Sequence, residues 1–242
     1  MSVPIVTLVY SYYENAGMLK RHMEEWEKYP RRLREKIAVI VTDDCSPAPM
    51  QLTEFPKGLR GAAYRVTEKK PWNWLACRNI GAKHAKSDWL LLTDMDHMLS
   101  AQSMVLLLRV LSKGRLNRNF VYLFTRVDAP DNKEYKPHND SFLMTKELYW
   151  KIGGYDEELA GNYGTSGRYR HRAYKVASGH QRLEIPLTRY PREVIPDAST
   201  TAFVRKGPGR DPYAIRNIEK KKEQEGRADE VLVLSFPYER IK

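Results

Sequence analysis

The sequence predicts an α/β fold: an open, mostly parallel central sheet flanked by helices, in one domain. Three observations predict it. Strand-length apolar runs alternate with segments of helical periodicity through the first half of the chain. Two acidic clusters, Asp43-Asp44 and Asp94-Met95-Asp96, each follow directly on such a run, at the edge where open α/β sheets bind ligands. A chain of 242 residues, 42% hydrophobic and 29% charged, also suits one domain with a substantial core.

Taken in order, Val3 to Tyr10 is uncharged and β-rich, a buried first strand. Asn15 is placed to cap a helix whose Leu19, Met23 and Trp26 recur on one face, ending before Pro30. Ile37 to Val41 is a second buried strand, running into the turn-forming Thr42-Asp43-Asp44-Cys45-Ser46-Pro47. Ala62 to Val66 is a short strand. Asn73 to Lys86 reads as a helix rich in small residues, and Trp89 to Thr93 as the strand delivering Asp94-Met95-Asp96-His97. Met104, Leu107, Leu108 and Leu111 mark the next helix. Phe120 to Thr125 and Ser141 to Met144 are strands, and Lys146 to Ile152 is a short helix stopped by Gly153-Gly154. A glycine-punctuated loop spans 161–167, and Arg168 to Ala177 returns to helical spacing. Two glycines and two prolines within 206–212 mark a boundary. The chain thus divides into a domain over 1–205 and a charged extension over 206–242, with a helix over Ile215 to Arg227 and a strand over Val231 to Phe236.

The formal net charge is +11, which calls for an anionic partner of some kind. Residues 206–242 hold nine Lys/Arg against seven Asp/Glu, so +9 belongs to residues 1–205 and not to a basic tail. No apolar run reaches membrane-spanning length, and the N-terminus lacks the pattern of a signal peptide, so a cytoplasmic protein is expected, with peripheral membrane contact at most. Cys45 and Cys77 are too few for a disulfide framework, match no zinc spacing and read as reduced thiols.

Two aspartates one residue apart on an extended chain face the same side. Their hard oxygens suit Mn²⁺ or Mg²⁺, and an ion held by one or two carboxylates keeps positions open for phosphate oxygens. The same tripeptide also serves as a polar turn before a helix, so its context decides. The run Arg78-Asn79-Ile80-Gly81-Ala82, then Trp89 to Asp96, strongly resembles family 2 glycosyltransferases. So do Val39 to Ser46 and Gly153-Gly154-Tyr155-Asp156-Glu157 followed by Gly161-Asn162-Tyr163-Gly164. The blocks stand in the family's order across residues 3–175.

The resemblance implies a GT-A (Rossmann-like) fold, with a nucleotide-sugar half over 1–97 and an acceptor half over 98–205. It implies a nucleoside-diphosphate-sugar donor, most commonly UDP-linked, a glycan or anionic acceptor, and inversion at the anomeric carbon. By the same resemblance Tyr10 would lie along the base or ribose, and Asp43 or Asp44 would accept a hydrogen bond from the nucleobase. Arg78 would face the base or diphosphate, with Asn79 supporting that loop. Asp94 would reach the ribose or a metal-bound water, and Asp96 would ligate the metal.

One departure stands out. The family places its general base in an acidic pair after the Gly-Gly-Tyr-Asp-Glu block, where this chain has Tyr163-Gly164-Thr165-Ser166-Gly167. Either another carboxylate serves, with Asp140, Asp156 and Glu157 as candidates, or the chain binds nucleotide sugar with little turnover, or this loop aligns differently. Asp156 and Glu157 could equally cap a turn. His97, His138 and His171 are candidates to complete a metal shell, and Trp72 and Trp74 to stack on a sugar or base. The basic stretch Arg168 to Arg172, with Lys175, could bind an anionic acceptor or the diphosphate, or be a solvated helix face. Lys220 to Lys222 is balanced by nearby glutamates. A nucleotidyltransferase would need a glycine-rich loop where Tyr10-Ser11-Tyr12-Tyr13-Glu14 stands, which argues against it. The remaining alternative, a binder of RNA or anionic glycan, rests only on the net charge, and no nucleic acid is expected as a partner.

Overall fold

The computed structural model describes residues 3–52, 54–199, 211 and 213–242. Its strands are β1 (Val6–Tyr12), β2 (Ile37–Asp43), β3 (Arg60–Val66), β4 (Trp89–Asp94), β5 (His97–Met98), β6 (Phe120–Asp128), β7 (Lys133–Tyr135), β8 (Phe142–Thr145), β9 (Gly179–Arg189) and β10 (Tyr238–Arg240). The helices are α1 (Ala16–Lys28), α2 (Arg31–Arg34), α3 (Trp74–His84), α4 (Ala101–Ser112), α5 (Lys146–Lys151), α6 (Ser166–Val176) and α7 (Ala214–Gln224). The strands form one sheet in the order β10-β3-β2-β1-β4-β8-β6-β9-β5, with β7 paired to β6.

The block β3-β2-β1-β4 is parallel, as the strand–helix alternation predicts. Beyond β4 the sheet becomes mixed: β8 is antiparallel to both β4 and β6, while β6 and β9 are parallel. Parallel neighbours need crossovers a dozen or more residues long. α1 and α2 supply one between β1 and β2, whereas the stretch from β6 to β8 carries only the short β7 and returns antiparallel.

Side-chain alternation along β1 sorts the core into two layers. Val6, Leu8 and Tyr10 pack with Trp26 of α1 and with Met104 and Leu107 of α4. Val9 points the other way, towards Ile80 of α3 and Tyr149 of α5. The small residues of α3 have a specific cause. A Cβ on Gly81 would stand 2.3 Å from Val9 Cγ1, so the helix reaches this distance from the sheet only without a side chain there.

The first helix begins at the expected place, but its cap comes from elsewhere. Asn15 makes no side-chain cap; the Asp197 carboxylate accepts from Gly17 N at 2.5 Å and Met18 N at 3.0 Å. Asn15 instead donates to the Asp197 carbonyl.

The C-terminal half departs from the sequence expectation at two elements. Val231 to Phe236 is not a strand; the last strand is β10, antiparallel to β3. The segment before β10 is extended but is held by carboxylates, not by a ladder. Leu234 N and Ser235 N donate to Glu157, and Leu232 N donates to Asp156. β9 was unanticipated: it carries charges at alternate positions and Pro186 within it, and lies at a bulge against β6. The boundary expected over 206–212 lies, apart from Asp211, outside the described residues. Among the described residues no helix is long and apolar enough to cross a membrane.

Candidate active site

The parallel strands end together, and a cleft of about 310 Å³ opens beyond their carboxyl ends. Asp94, Asp96 and Asp140 all line it, the first two from the end of β4 and the third from the loop before β8. The cleft is also lined by Trp72 and Trp74, ahead of and within the first turn of α3, and by the loop Asn162 to Ser166.

Arg78 ties the acidic wall together. It is fully buried, and its Nη2 donates to Asp94 Oδ1 at 2.6 Å. Its Nη1 donates to the Asp140 carbonyl at 2.8 Å and to the Tyr155 hydroxyl at 2.7 Å. The guanidinium lies 4.7 Å from the Trp74 ring centroid and 5.3 Å from that of Tyr155. Burial opposes its charge, but Tyr155, Asp94 and Asp140 more than offset this and hold it protonated. Arg78 itself has no exposed surface and does not line the cleft; it bonds the Asp94 carboxylate and the Asp140 backbone, which do.

Asp94 keeps 42% of its side chain exposed, with His138 Nε2 at 3.6 Å from Oδ2. Asp96 is more enclosed. Its Oδ1 bonds His97 Nδ1 at 2.7 Å, and Oδ2 lies 3.7 Å from Arg189. Burial alone would raise its carboxyl; His97, with His138 and Arg189, outweighs that and holds it below the usual carboxylate range. His97 and His138 stack at 4.1 Å. Burial and the neighbouring His97 push His138 down to about 4, so it is neutral near pH 7. His171 is elsewhere, in a groove between α6 and α7.

Asp140 behaves in the opposite way to Asp96. Burial, then the Asp94 charge, push its carboxyl up to about 6, against the pull of Arg78, the nearby Ser166 side chain and Arg170. Ser166 also lines the cleft, so the position where the expected acid is missing stands beside an acid supplied by another loop.

The other expected residues hold this architecture in place. Tyr10 has no exposed surface; it belongs to a buried row with His22 and Trp26, and the residue of β1 that reaches the cleft is Ser11. His22, which no motif had singled out, places Nε2 at 2.8 Å from the Met95 carbonyl, between the two aspartates. Burial pushes it down to about 4, so the neutral ring donates. Asp43 is buried and spends its oxygens on Ser46 N, Met50 N and Arg65, shaping the turn after β2. Asp44 is buried too and accepts from Asn73 N at 3.0 Å, joining that turn to the start of α3. Asn79 is fully buried and makes four bonds: from Tyr149 Oη and Tyr155 N, and to the Tyr155 carbonyl and Glu157.

Asp156 and Glu157 do not line the cleft. Lys222 Nζ donates to Asp156 at 2.8 Å, and both side chains are buried. Glu157 accepts from Asn79 and from Leu234 and Ser235 of the C-terminal segment. Their position suits the turn-capping alternative, extended to long range. Two residues of the basic stretch on α6 are committed elsewhere, Arg168 to Glu219 and Arg172 to the Gly154 carbonyl, while the charge of Arg170 reaches Asp140.

A mixed sheet with acidic loops gathered beyond its parallel strand ends is the architecture of the GT-A transferases. The chain belongs to glycosyl transferase family 2, whose model matches residues 10–176. Solved structures agree in fold. S. aureus TarS residues 1–349 in complex with UDP-GlcNAc gives a TM-score of 0.62 at 12% identity, covering 90% of this chain and 66% of that one. Another structure of S. aureus TarS residues 1–349 gives 0.59 at 13%, covering 80% and 63%. Its complex with UDP gives 0.57 at 13%, covering 89% and 70%. The chain thus spans about two thirds of these structures, and at such identities the likeness is one of fold. No curated protein matches by sequence.

Proposed function

We propose that the chain transfers a sugar from a nucleoside-diphosphate sugar to an acceptor hydroxyl, with inversion. The observation that carries this is the meeting of Asp94, Asp96 and Asp140 in one cleft, with Asp140 held at about 6. A base matched to neutral pH takes a hydroxyl proton without being permanently protonated. Asp140 would accept that proton as the hydroxyl oxygen attacks the anomeric carbon from the face opposite the departing diphosphate. The Arg78 bond to the Asp140 carbonyl holds that residue's backbone in place. Uridine is the favoured nucleoside, because TarS is solved with UDP and UDP-GlcNAc.

The donor set fits a divalent ion of the Mn²⁺ or Mg²⁺ kind. Among the described residues no cluster of three or more His, Cys, Asp or Glu is arranged to cage a metal. Two carboxylates facing one cleft, one of them 42% exposed, leave the remaining positions to substrate oxygens and water. Asp94 and Asp96 would hold the ion, which when bound neutralises charge on the leaving diphosphate. His22 and Arg78 keep the two carboxylates in place.

The test is thermal stabilisation by UDP, GDP and dTDP, each with and without Mn²⁺. Metal-dependent stabilisation by UDP, lost in Asp96→Asn, is expected. No stabilisation by any of the three would overturn the reading.

A further inference from the structure

The cleft's chemistry points to the class of acceptor. Among the described residues that line it, three are carboxylates and none is lysine or arginine. Arg78 and Arg170 act on Asp140 through charge, but neither lines the cleft. With Asp94 and Asp96 engaged by the metal, an anionic acceptor would still meet Asp140, and no described lining lysine or arginine offsets that charge.

The lining is also aromatic. The Trp72 and Tyr163 rings lie 5.2 Å apart, tilted by 36°, and Tyr163 is 49% exposed. Trp72 has φ +53°, a left-handed conformation uncommon for a bulky side chain. Its neighbour Asn73 is anchored through its N–H to Asp44, which fixes the backbone there. Strained backbone that its surroundings hold in place collects where a side chain must be presented in one orientation. On the other side of the pair, Gly164 at φ +89° lets the loop turn directly after Tyr163. That loop continues to Ser166, the neighbour of Asp140, so a molecule whose hydroxyl reaches Asp140 lies alongside these rings. Asn162, Thr165 and Ser166 add neutral polar groups on the same loop. Aromatic faces beside neutral hydrogen-bonding groups and carboxylates suit the apolar face and the hydroxyls of an uncharged pyranose.

We infer that Trp72 and Tyr163 form a stacking platform for the acceptor, and that the acceptor presents a neutral sugar ring to it. The inference rests on the transferase reading of the same cleft, and the experiment separates the two.

Parent protein, Trp72→Leu, Tyr163→Ser and Trp72→Phe are compared with UDP and Mn²⁺ present. The probes are p-nitrophenyl β-glucoside, β-galactoside and N-acetyl-β-glucosaminide, against the β-glucuronide and glucose 6-phosphate. Binding is read by saturation-transfer NMR titration. Affinity for UDP is measured separately by calorimetry. Neutral glycosides are expected to bind the parent and to weaken about 5- to 10-fold in Trp72→Leu and Tyr163→Ser, from the usual worth of an aromatic stack. Trp72→Phe is expected to restore most of that loss, and UDP affinity to stay within about twofold. Three results overturn the platform: no neutral glycoside bound by a parent that binds UDP, preference for the anionic probes, or a parallel loss of UDP affinity that places the rings on the nucleotide. Failure of the parent to bind UDP at all counts against the transferase reading instead.

Discussion

Asp140→Asn is expected to make the protein more stable above pH 6 while abolishing transfer. The free carboxyl titrates at 3.8 and the folded one at about 6. The folded state therefore binds this proton more tightly than the unfolded state. The stability this contributes is fully present below the unfolded value and is lost as pH rises through about 6. At about 1.4 kcal/mol per pH unit of displacement, the ionised group costs the fold at most about 3 kcal/mol. Water reaching this half-buried side chain reduces that to about 1–2 kcal/mol. Asparagine keeps the shape without the charge, so the variant should melt higher at pH 8 by roughly 2–8 °C for a chain of this length. The advantage should shrink between pH 6 and pH 4, where the parent carboxyl takes up its proton. Thermal melts across that range read the effect. Transfer by the parent should rise with pH as Asp140 gives up its proton, at a lower pH once a metal neutralises Asp94 than in the metal-free protein, and in the variant fall by about 10²–10⁴-fold, the usual worth of a positioned base. A variant less stable than the parent at pH 8, or one that retains transfer, would refute the reasoning.

The same geometry sets other outcomes. Lys222→Met leaves Asp156 buried without its cation and should destabilise by about 3–5 kcal/mol, seen in urea unfolding. Gly81→Ala drives a methyl into Val9 and should cost about 1–3 kcal/mol by the same measurement. Glu157→Gln replaces an acceptor of two backbone N–H groups by a side chain with fewer acceptor sites; limited proteolysis should cut residues 225–237 faster than in the parent. His22→Phe preserves the buried ring but leaves the Met95 carbonyl without its donor. It should weaken Mn²⁺ retention by about 10-fold, read by electron paramagnetic resonance, with a stability loss of about 1–3 kcal/mol.

Much was legible because it is local. Apolar runs place β1, β2 and β4, small residues place α3, and strand ends place Asp94 and Asp96, since periodicity follows from backbone geometry. Val231 to Phe236 shows where the method stops. Its apolar pattern suits a strand, but the bonding partners it meets are the Asp156 and Glu157 carboxylates, 76 to 78 residues earlier in the chain. Asp197, which caps a helix 180 residues before it, left no local signal at all. His22 looked like one more polar residue on an amphipathic helix.

The opening pair of acidic loops shows the division most clearly. The sequence by itself determined the α/β class and placed Asp94 and Asp96 at the end of β4. Tertiary structure decided what each polar residue there faces. Asp43 and Asp44 turned inward to backbone N–H groups, and Arg78 was buried between Asp94 and the backbone of Asp140. Asp140 came to stand beside Ser166, where the local motif lacked an acid. Burial and partners decide whether a charge serves the fold or a ligand, and both arise from segments far apart in the chain.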